Sequence, residues 1–287
     1  MRRSLLLILP LPMVIVLAAV LYLRYHDQPR DDVMRRMLVG LASAPRQAQI
    51  DCSLFKSQRP LVLLALGQSN AGNHGETGNL AAAGVPVQVM NAGICSNSMD
   101  PLPGATGLGS SIWSRLPAQL AALGIARPVV LQLLAVNASA IDDWVRDGAP
   151  IAQHLAQALA ANASTGLQPA LVLWQQGETD AKAGTTPRRY ADQLLALAHA
   201  LDAGGVSAPI FVALSTVCRS APDAGLRSAI RALAARNPRF VVGPDTDAVQ
   251  GRLEACHWSS SGREQAAGMW ASAISGMAAH LVPAQTP

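Results

Sequence analysis

Five short runs of this chain, "PLVLLAL", "RPVVLQLLAV", "PALVLWQQ", "APIFVALSTV" and "RFVVGP", are apolar on both alternations of an extended backbone. A strand reads this way when both of its faces are covered, because successive side chains point to opposite sides of a sheet. Between the runs lie helical patterns: "SSIWSRLPAQLAALG", "APIAQHLAQALAAN", "RRYADQLLALAHALDAGG", "AGLRSAIRALAARN" and "GREQAAGMWASAISGMAAHL". Several end in Gly or Asn, which accept the left-handed backbone of a helix end. Strands alternating with helices of this length imply crossover connections and an α/β fold, with a parallel sheet of about five strands between two helical layers. Pro117, inside the first helical pattern, is expected to shorten or kink that helix. With 287 residues, half of them apolar and 14% charged, the chain can build one large core, and a single globular domain over residues 58–287 is expected.

Ahead of that domain, Arg2 and Arg3 precede an uncharged apolar run from Leu5 to Leu23, about the length that crosses a bilayer's hydrocarbon core. Arginines on the short side keep that side cytoplasmic. Residues 1–24 are expected as an uncleaved single-pass transmembrane helix, with a cleaved signal segment and secretion as the competing reading. Residues 25–57 read as a juxtamembrane linker with one short helix around Val33 to Ala42. Either way the domain would be extracytoplasmic, on the periplasmic face of an inner membrane. Cys52, Cys95, Cys218 and Cys256 could pair there, and four cysteines allow three connectivities. Free buried thiols are the second reading. A metal site is disfavoured, since no two cysteines stand at C-x-x-C spacing. The formal charge of +4 comes mostly from scattered arginines, with Lys56 and Lys182 the only lysines, which argues against nucleic acid as a partner. Protein partners are not legible.

Open parallel sheets bind ligands beyond the carboxyl ends of their strands. Polar clusters stand at those places: Gly67-Gln68-Ser69-Asn70 after the first run, Asn137-Ala138-Ser139 after the second, and Gln176-Gly177-Glu178-Thr179-Asp180 after the third. The fifth run leads to Asp245, Asp247 and then Glu254-Ala255-Cys256-His257. A serine hydroxyl attacks a carbonyl only when a base takes its proton and a carboxylate orients that base. Ser69 is the candidate nucleophile and His257 the candidate base. Glu254, three residues earlier on what should be one turn, is the expected orienting carboxylate. His74 also follows a strand, but is too close in sequence to Ser69 to be more than a substrate contact. Each residue alone has an ordinary reading, Ser69 as a helix cap above all; the spacing of the set overrides it. The G-x-S-x-G elbow is absent because position 71 is alanine, which argues against an α/β-hydrolase.

With "GQSN" at 67–70, "WQQGETD" at 174–180 and "RLEACH" at 252–257, the chain resembles the SGNH hydrolases, and within them the carbohydrate esterases related to sialate O-acetylesterases. The resemblance covers most of Leu61 to Leu281. It implies a flavodoxin-like three-layer sandwich and cofactor-free, metal-independent removal of acyl groups, typically acetyl, from a glycan or related small ester through an acyl-enzyme. It implies Ser69 as nucleophile, His257 as base and acid, and Glu254 as orienter. The oxyanion hole would use the N–H of Ser69, a backbone N–H from Asn137 or Ala138, and the side-chain amide of Gln176. Gln68, Asn70, Gln175 and Glu178 would contact substrate. Relatives usually carry aspartate where Glu254 stands, a Gly-Gly pair at 137–138, and often histidine at 175. The Gly- and Pro-rich stretch from Asp100 to Trp113 is expected as a specificity loop over the site, or a plain surface loop. The competing functions are a lipid or thioester hydrolase and a non-catalytic glycan-binding module of the same fold.

Overall fold

The computed structural model describes residues 29–77 and 86–281. The five apolar runs form strands β2 (Leu61–Gly67), β5 (Val129–Ala135), β6 (Leu171–Gln175), β7 (Ile210–Val212) and β8 (Phe240–Val242). Three further strands join them: β1 (Gln49–Ile50), β3 (Val87–Asn91) and β4 (Ile94–Ser98). Among the described residues these make one eight-stranded sheet in the order β1-β4-β3-β5-β2-β6-β7-β8. From β3 to β8 the neighbours run parallel; β4 is antiparallel to both β3 and β1. The expected parallel sheet of about five strands is therefore corrected to a mixed sheet of eight. The β3–β4 hairpin escaped the sequence reading because "VQVMN" and "ICSNS" are short, and half-exposed or exposed positions interrupt their apolar pattern.

Helices cover both faces. On one side, α3 (Leu116–Ala122) and α9 (Ser260–Leu281) bury Trp113, Leu116, Leu120, Trp270 and Ile274 against Leu61, Leu63 and Ala65 of β2. On the other, α1 (Arg30–Val39), α4 (Asp142–Val145), α5 (Pro150–Ala163), α7 (Pro187–Ala203) and α8 (Ala224–Arg236) bury Met34, Trp144, Leu155, Leu194 and Ile230 against Leu64 and Leu66. The alternation within β2 explains why every residue of that strand is apolar or Gly. Pro117 falls in the first turn of α3, where a missing N–H costs nothing, so the helix is shortened rather than broken.

Within the stretch 25–57 read as a linker, two helices pack onto the sheet. Met34 of α1 and Phe55 of α2 (Cys52–Ser57) are fully buried. The expected membrane helix, residues 1–24 with the run Leu5–Leu23, lies outside the described residues, among which no helix is long and apolar enough to cross a membrane. All four cysteines pair, Cys52 with Cys95 and Cys218 with Cys256.

Candidate active site

Two glycines let the central strands deliver polar residues to the sheet edge. Gly67 ends β2 at φ 153°, and a Cβ there would stand 2.1 Å from the Gln175 carbonyl oxygen. A Cβ at Gly177, at φ 151°, would stand 2.4 Å from the Ser215 carbonyl oxygen. Neither position tolerates a side chain. Beyond Gly67 the chain turns through a 3-10 turn, Ser69–Ala71, and beyond Gly177 it starts α6 (Glu178–Ala183). Ser69, Glu178 and His257 line one cleft of about 350 Å³ together with Gln68, Asn137, Ala138 and Thr179. Arg30, Lys182 and Arg219 edge the same cleft.

His257 arrives from a small hairpin, β9 (Arg252–Leu253) and β10 (His257–Trp258). Cys256 N–H donates to Leu253 O at 2.9 Å across Glu254 and Ala255, both at positive φ (51° and 56°). Two successive left-handed residues inside such a bond are the mark of a type I′ turn, not of the helical turn expected from the sequence. The Glu254 carboxylate is consequently thrown outward, 70% exposed, and pairs with Arg219. Among the described residues no hydrogen bond joins it to His257. Its charge still favours the imidazolium, although burial dominates and lowers the His257 pKa, with Arg219 and Arg252 adding to that lowering.

Glu178 is the carboxyl that the fold buries beside the cleft. Its Oε1 accepts from Asn70 Nδ2 at 2.7 Å and from Ser215 Oγ at 2.9 Å; its Oε2 has no partner among the described residues. Burial pushes its pKa up to about 7, against the lowering effect of those hydrogen bonds and of Arg252. Asn70 binds this carboxyl to the hairpin: its Nδ2 also donates to Cys256 O at 3.3 Å, and its own carbonyl accepts from Trp258 Nε1 at 2.9 Å. The Cys218–Cys256 bond fastens the residue before His257 to the loop after β7. Arg252 lies over the Trp258 ring at 4.3 Å and donates to the carbonyls of Thr246, Val217, Val249 and Cys256.

The expected oxyanion donors separate. The backbone N–H groups of Ser69 and Ala138 have no hydrogen-bond acceptor among the described residues, whereas Asn137 N–H is taken by Thr106 Oγ1 at 2.9 Å. Ala138 adopts φ 56°, a left-handed backbone that costs alanine more than the glycine of a Gly-Gly pair. Gln176 does not reach the cleft. Fully buried, it spends its amide nitrogen on Asp180 Oδ2 (2.6 Å), Ser139 O (3.1 Å) and Gln68 Oε1 (3.3 Å), and Tyr190 Oη lies 3.0 Å from its Oε1. Gln175 is likewise buried, bonded to Ser215, Thr246 and Trp270. Of the four expected substrate contacts, Gln68 and Glu178 line the cleft, while Asn70 and Gln175 are fixed beneath it.

Sequence reasoning missed Arg30, which donates to Ala138 O at 2.7 Å and forks onto the buried Asp143. It also undervalued His74. The His74 ring stacks on His257 with centroids 5.5 Å apart and planes at 28°. The segment 105–110, within the Asp100–Trp113 stretch, runs between the His74 loop and the end of β5 through bridges Ala105–Ala135 and Gly75–Ser110. That stretch supplies Thr106.

The chain matches the family described as carbohydrate esterase, sialic acid-specific acetylesterase, over residues 117–275. No curated protein matches it. Among solved structures, a protein from Arabidopsis thaliana shares its fold at a TM-score of 0.56 and 18% identity, covering 75% of this chain and 97% of its own. A carbohydrate acetylesterase from Sinorhizobium meliloti, Est24, aligns at 0.48 and 18% identity over 77% of this chain and 99% of its own. A carbohydrate esterase family 3 protein from Talaromyces cellulolyticus aligns at 0.46 and 14%, over 77% and 97%.

Proposed function

Because the chain belongs to the sialic acid-specific acetylesterase family of carbohydrate esterases, which matches more than half its length, we propose that it removes acetyl groups from a carbohydrate ester through an acyl-enzyme on Ser69. The observation that carries this reading is the shared cleft of Ser69 and His257, with two unengaged backbone N–H groups, of Ser69 and Ala138, at its edge. In the first half-reaction Ser69 Oγ attacks the acetyl carbonyl carbon as His257 takes the hydroxyl proton. The negative charge that develops on the carbonyl oxygen is received by the N–H groups of Ser69 and Ala138; one such donor typically contributes ~3 kcal/mol to the transition state. Collapse breaks the bond to the sugar oxygen, which leaves with the proton from the imidazolium. Water, deprotonated by the same His257, then attacks the acetyl-serine and releases acetate.

The imidazolium needs a carboxylate partner, and Glu178 fits that role better than Glu254. The Glu254 charge is solvated and matched to Arg219, whereas Glu178 is buried, faces the same cleft as His257 and has one oxygen unengaged. A low-dielectric pair stabilises a developing charge far more than a solvated one does. The cationic and hydroxyl rim of Arg30, Lys182, Arg219 and Thr179 suits a polar, hydroxylated leaving group rather than a long acyl chain. That favours a sugar ester over a lipid.

The test compares the wild-type chain with Ser69→Ala on p-nitrophenyl acetate and on peracetylated monosaccharides. The variant is expected to fold and to lose turnover by ~10³-fold or more. Retention of more than a few per cent of wild-type turnover removes Ser69 from this role.

A further inference from the structure

We propose that His74 is a positioning residue, which holds the His257 imidazole by stacking and ties it, through Thr106, to the backbone that carries the oxyanion donor. The inference rests on the esterase reading above. It starts from a second imidazole that the reaction does not consume, stacked on the first with centroids 5.5 Å apart and planes inclined by 28°.

The far edge of the His74 ring identifies its task. His74 Nε2 lies 3.1 Å from Thr106 Oγ1, and the same oxygen accepts from Asn137 N–H at 2.9 Å. A hydroxyl has one proton to donate and two lone pairs to accept with. Thr106 Oγ1 also lies 3.4 Å from Ala135 O. One hydroxyl therefore joins the end of β5, the first residue of the oxyanion loop and the His74 ring, whichever of Ala135 O and His74 Nε2 receives its proton. Asn137 directly precedes Ala138, so a shift of Thr106 moves the donor.

The electrostatics agree with this arrangement. Burial, with the charge of His257 as the smaller cause, lowers the His74 pKa to about 4, so the ring stays neutral where esterases work. A neutral neighbour lets His257 become cationic during the reaction, which a second imidazolium at that distance would oppose. The charged groups facing His257 are otherwise Glu254, Arg219 and Arg252 beside it, with Glu178, Lys182 and Arg30 lining the same cleft.

Three variants divide stacking from tethering: His74→Phe keeps a ring on His257 and loses the bond to Thr106, His74→Gln keeps a side-chain donor and loses the ring, and His74→Ala loses both. Each is assayed for kcat and KM on p-nitrophenyl acetate, for its unfolding midpoint, and for the His257 pKa by NMR titration of the imidazole. His74→Ala is expected to lower kcat by ~10²-fold, the scale on which misplacing a catalytic group acts, with KM within about threefold. Its His257 pKa should rise toward the ordinary histidine range, because removing the covering ring restores solvation. His74→Phe should retain the wild-type His257 pKa yet lose about tenfold in kcat, and His74→Gln should show the reverse emphasis. Folded variants with kcat within twofold of wild type and an unmoved His257 pKa overturn the proposal. Ser69→Ala assayed alongside separates the two levels: if it too stays active, the esterase assignment falls; if it is inactive while the His74 variants are normal, only the role of His74 falls.

Discussion

Ser69 and His257 meet on one cleft but are held there by different physics. Ser69 stands at the end of β2, whose seven residues are all buried between two helical layers and paired on both sides, with β5 and β6. Burial of that strand alone removes several large side chains from water, each such burial worth about 1.5–3 kcal/mol, so the turn that follows has little freedom. His257 stands on a hairpin of two two-residue strands, too short to be stable alone. What fixes it is a set of cross-links: the Cys218–Cys256 bond, the four carbonyls gathered by Arg252, and Asn70 reaching from the Ser69 turn. The nucleophile is placed by the core and the base by polar and covalent ties, so the two halves should fail in different ways.

The largest expected contrast is between the two carboxylates that could serve His257. Glu178→Gln keeps the shape and one acceptor but removes the carboxylate charge that the site carries above about pH 7, and should lower kcat there by two or more orders of magnitude. Glu254→Gln breaks only an exposed pair with Arg219; surface pairs of this kind contribute ~0–1 kcal/mol, so kcat should stay within about fivefold. Steady-state kinetics on p-nitrophenyl acetate decide the matter. The opposite ranking would return the orienting role to Glu254 and make its outward position in this structure unrepresentative of the working enzyme.

The two disulfides sharpen the comparison further. Their separations of 43 and 38 residues are nearly equal, so removal of either should cost a similar ~2–4 kcal/mol through the entropy of the unfolded chain. Only one of them touches the site. Replacing both Cys218 and Cys256 with Ser should lower kcat about tenfold as well as the unfolding midpoint. The Cys52 and Cys95 double replacement, at the far edge of the sheet by β4, should lower the midpoint alone. Equal kcat in the two double variants would show that Arg252 and Asn70 hold the hairpin unaided.

Stability against pH separates the halves by sign. Folded, the Glu178 carboxyl keeps its proton to about pH 7, against about 4.5 for the unfolded chain. The folded state therefore binds more protons between those values, and this contribution is full below about 4.5 and lost as pH rises through 7. His74 acts in the other direction: its imidazole titrates at about 4 rather than 6.5, so its contribution is present above 6.5 and lost as pH falls toward 4. The two slopes oppose one another in the wild type. Melting curves from pH 4 to 8 should show Glu178→Gln gaining relative to wild type as pH rises, by an amount on the order of 3 kcal/mol across the window, and His74→Phe gaining as pH falls. Parallel curves for wild type and Glu178→Gln would remove the raised carboxyl pKa.

The same division marks what the sequence made legible. β2, β5, β6, β7 and β8 could be read because doubly covered strands are apolar on both alternations, and Ser69 could be read because it follows one of them. The partnerships of the hairpin could not. Glu254 and Ala255 occupy the left-handed positions of a type I′ turn that Asn and Gly normally mark, so "RLEACH" looked like a helical turn and its carboxylate looked available. The family resemblance assigns Gln176 to the oxyanion hole; its acceptors here, Asp180, Ser139 and Gln68, are brought together only by the fold. The signal for Glu178 was present in the same motif, yet nothing local distinguishes a buried carboxyl from a solvated one. Arg30 was hidden by lying in a segment that resembles a linker.

Arg30 supplies the smallest and most diagnostic test. Ala138 at φ 56° costs roughly 1–2 kcal/mol relative to an ordinary backbone, and something must hold it there if its N–H is to face the cleft. Arg30 Nη2 donates to its carbonyl at 2.7 Å while Nε meets Asp143 Oδ1 at 3.0 Å, and Asp143 Oδ2 also accepts from Ala140 N–H at 2.8 Å. The guanidinium fork thus joins α1 to the loop on both sides of the strained residue. Arg30→Ala should lower kcat about tenfold, and Arg30→Lys should rescue it poorly, since an ammonium cannot reach carbonyl and carboxylate in one plane. Ala138→Gly removes the backbone penalty, so in that background the loss from Arg30→Ala should shrink to about threefold or less, a coupling read by comparing the four kcat values. If the two effects simply add, Arg30 acts on substrate at the cleft rim rather than on the backbone of Ala138, and the oxyanion donor is held by the Thr106 side alone.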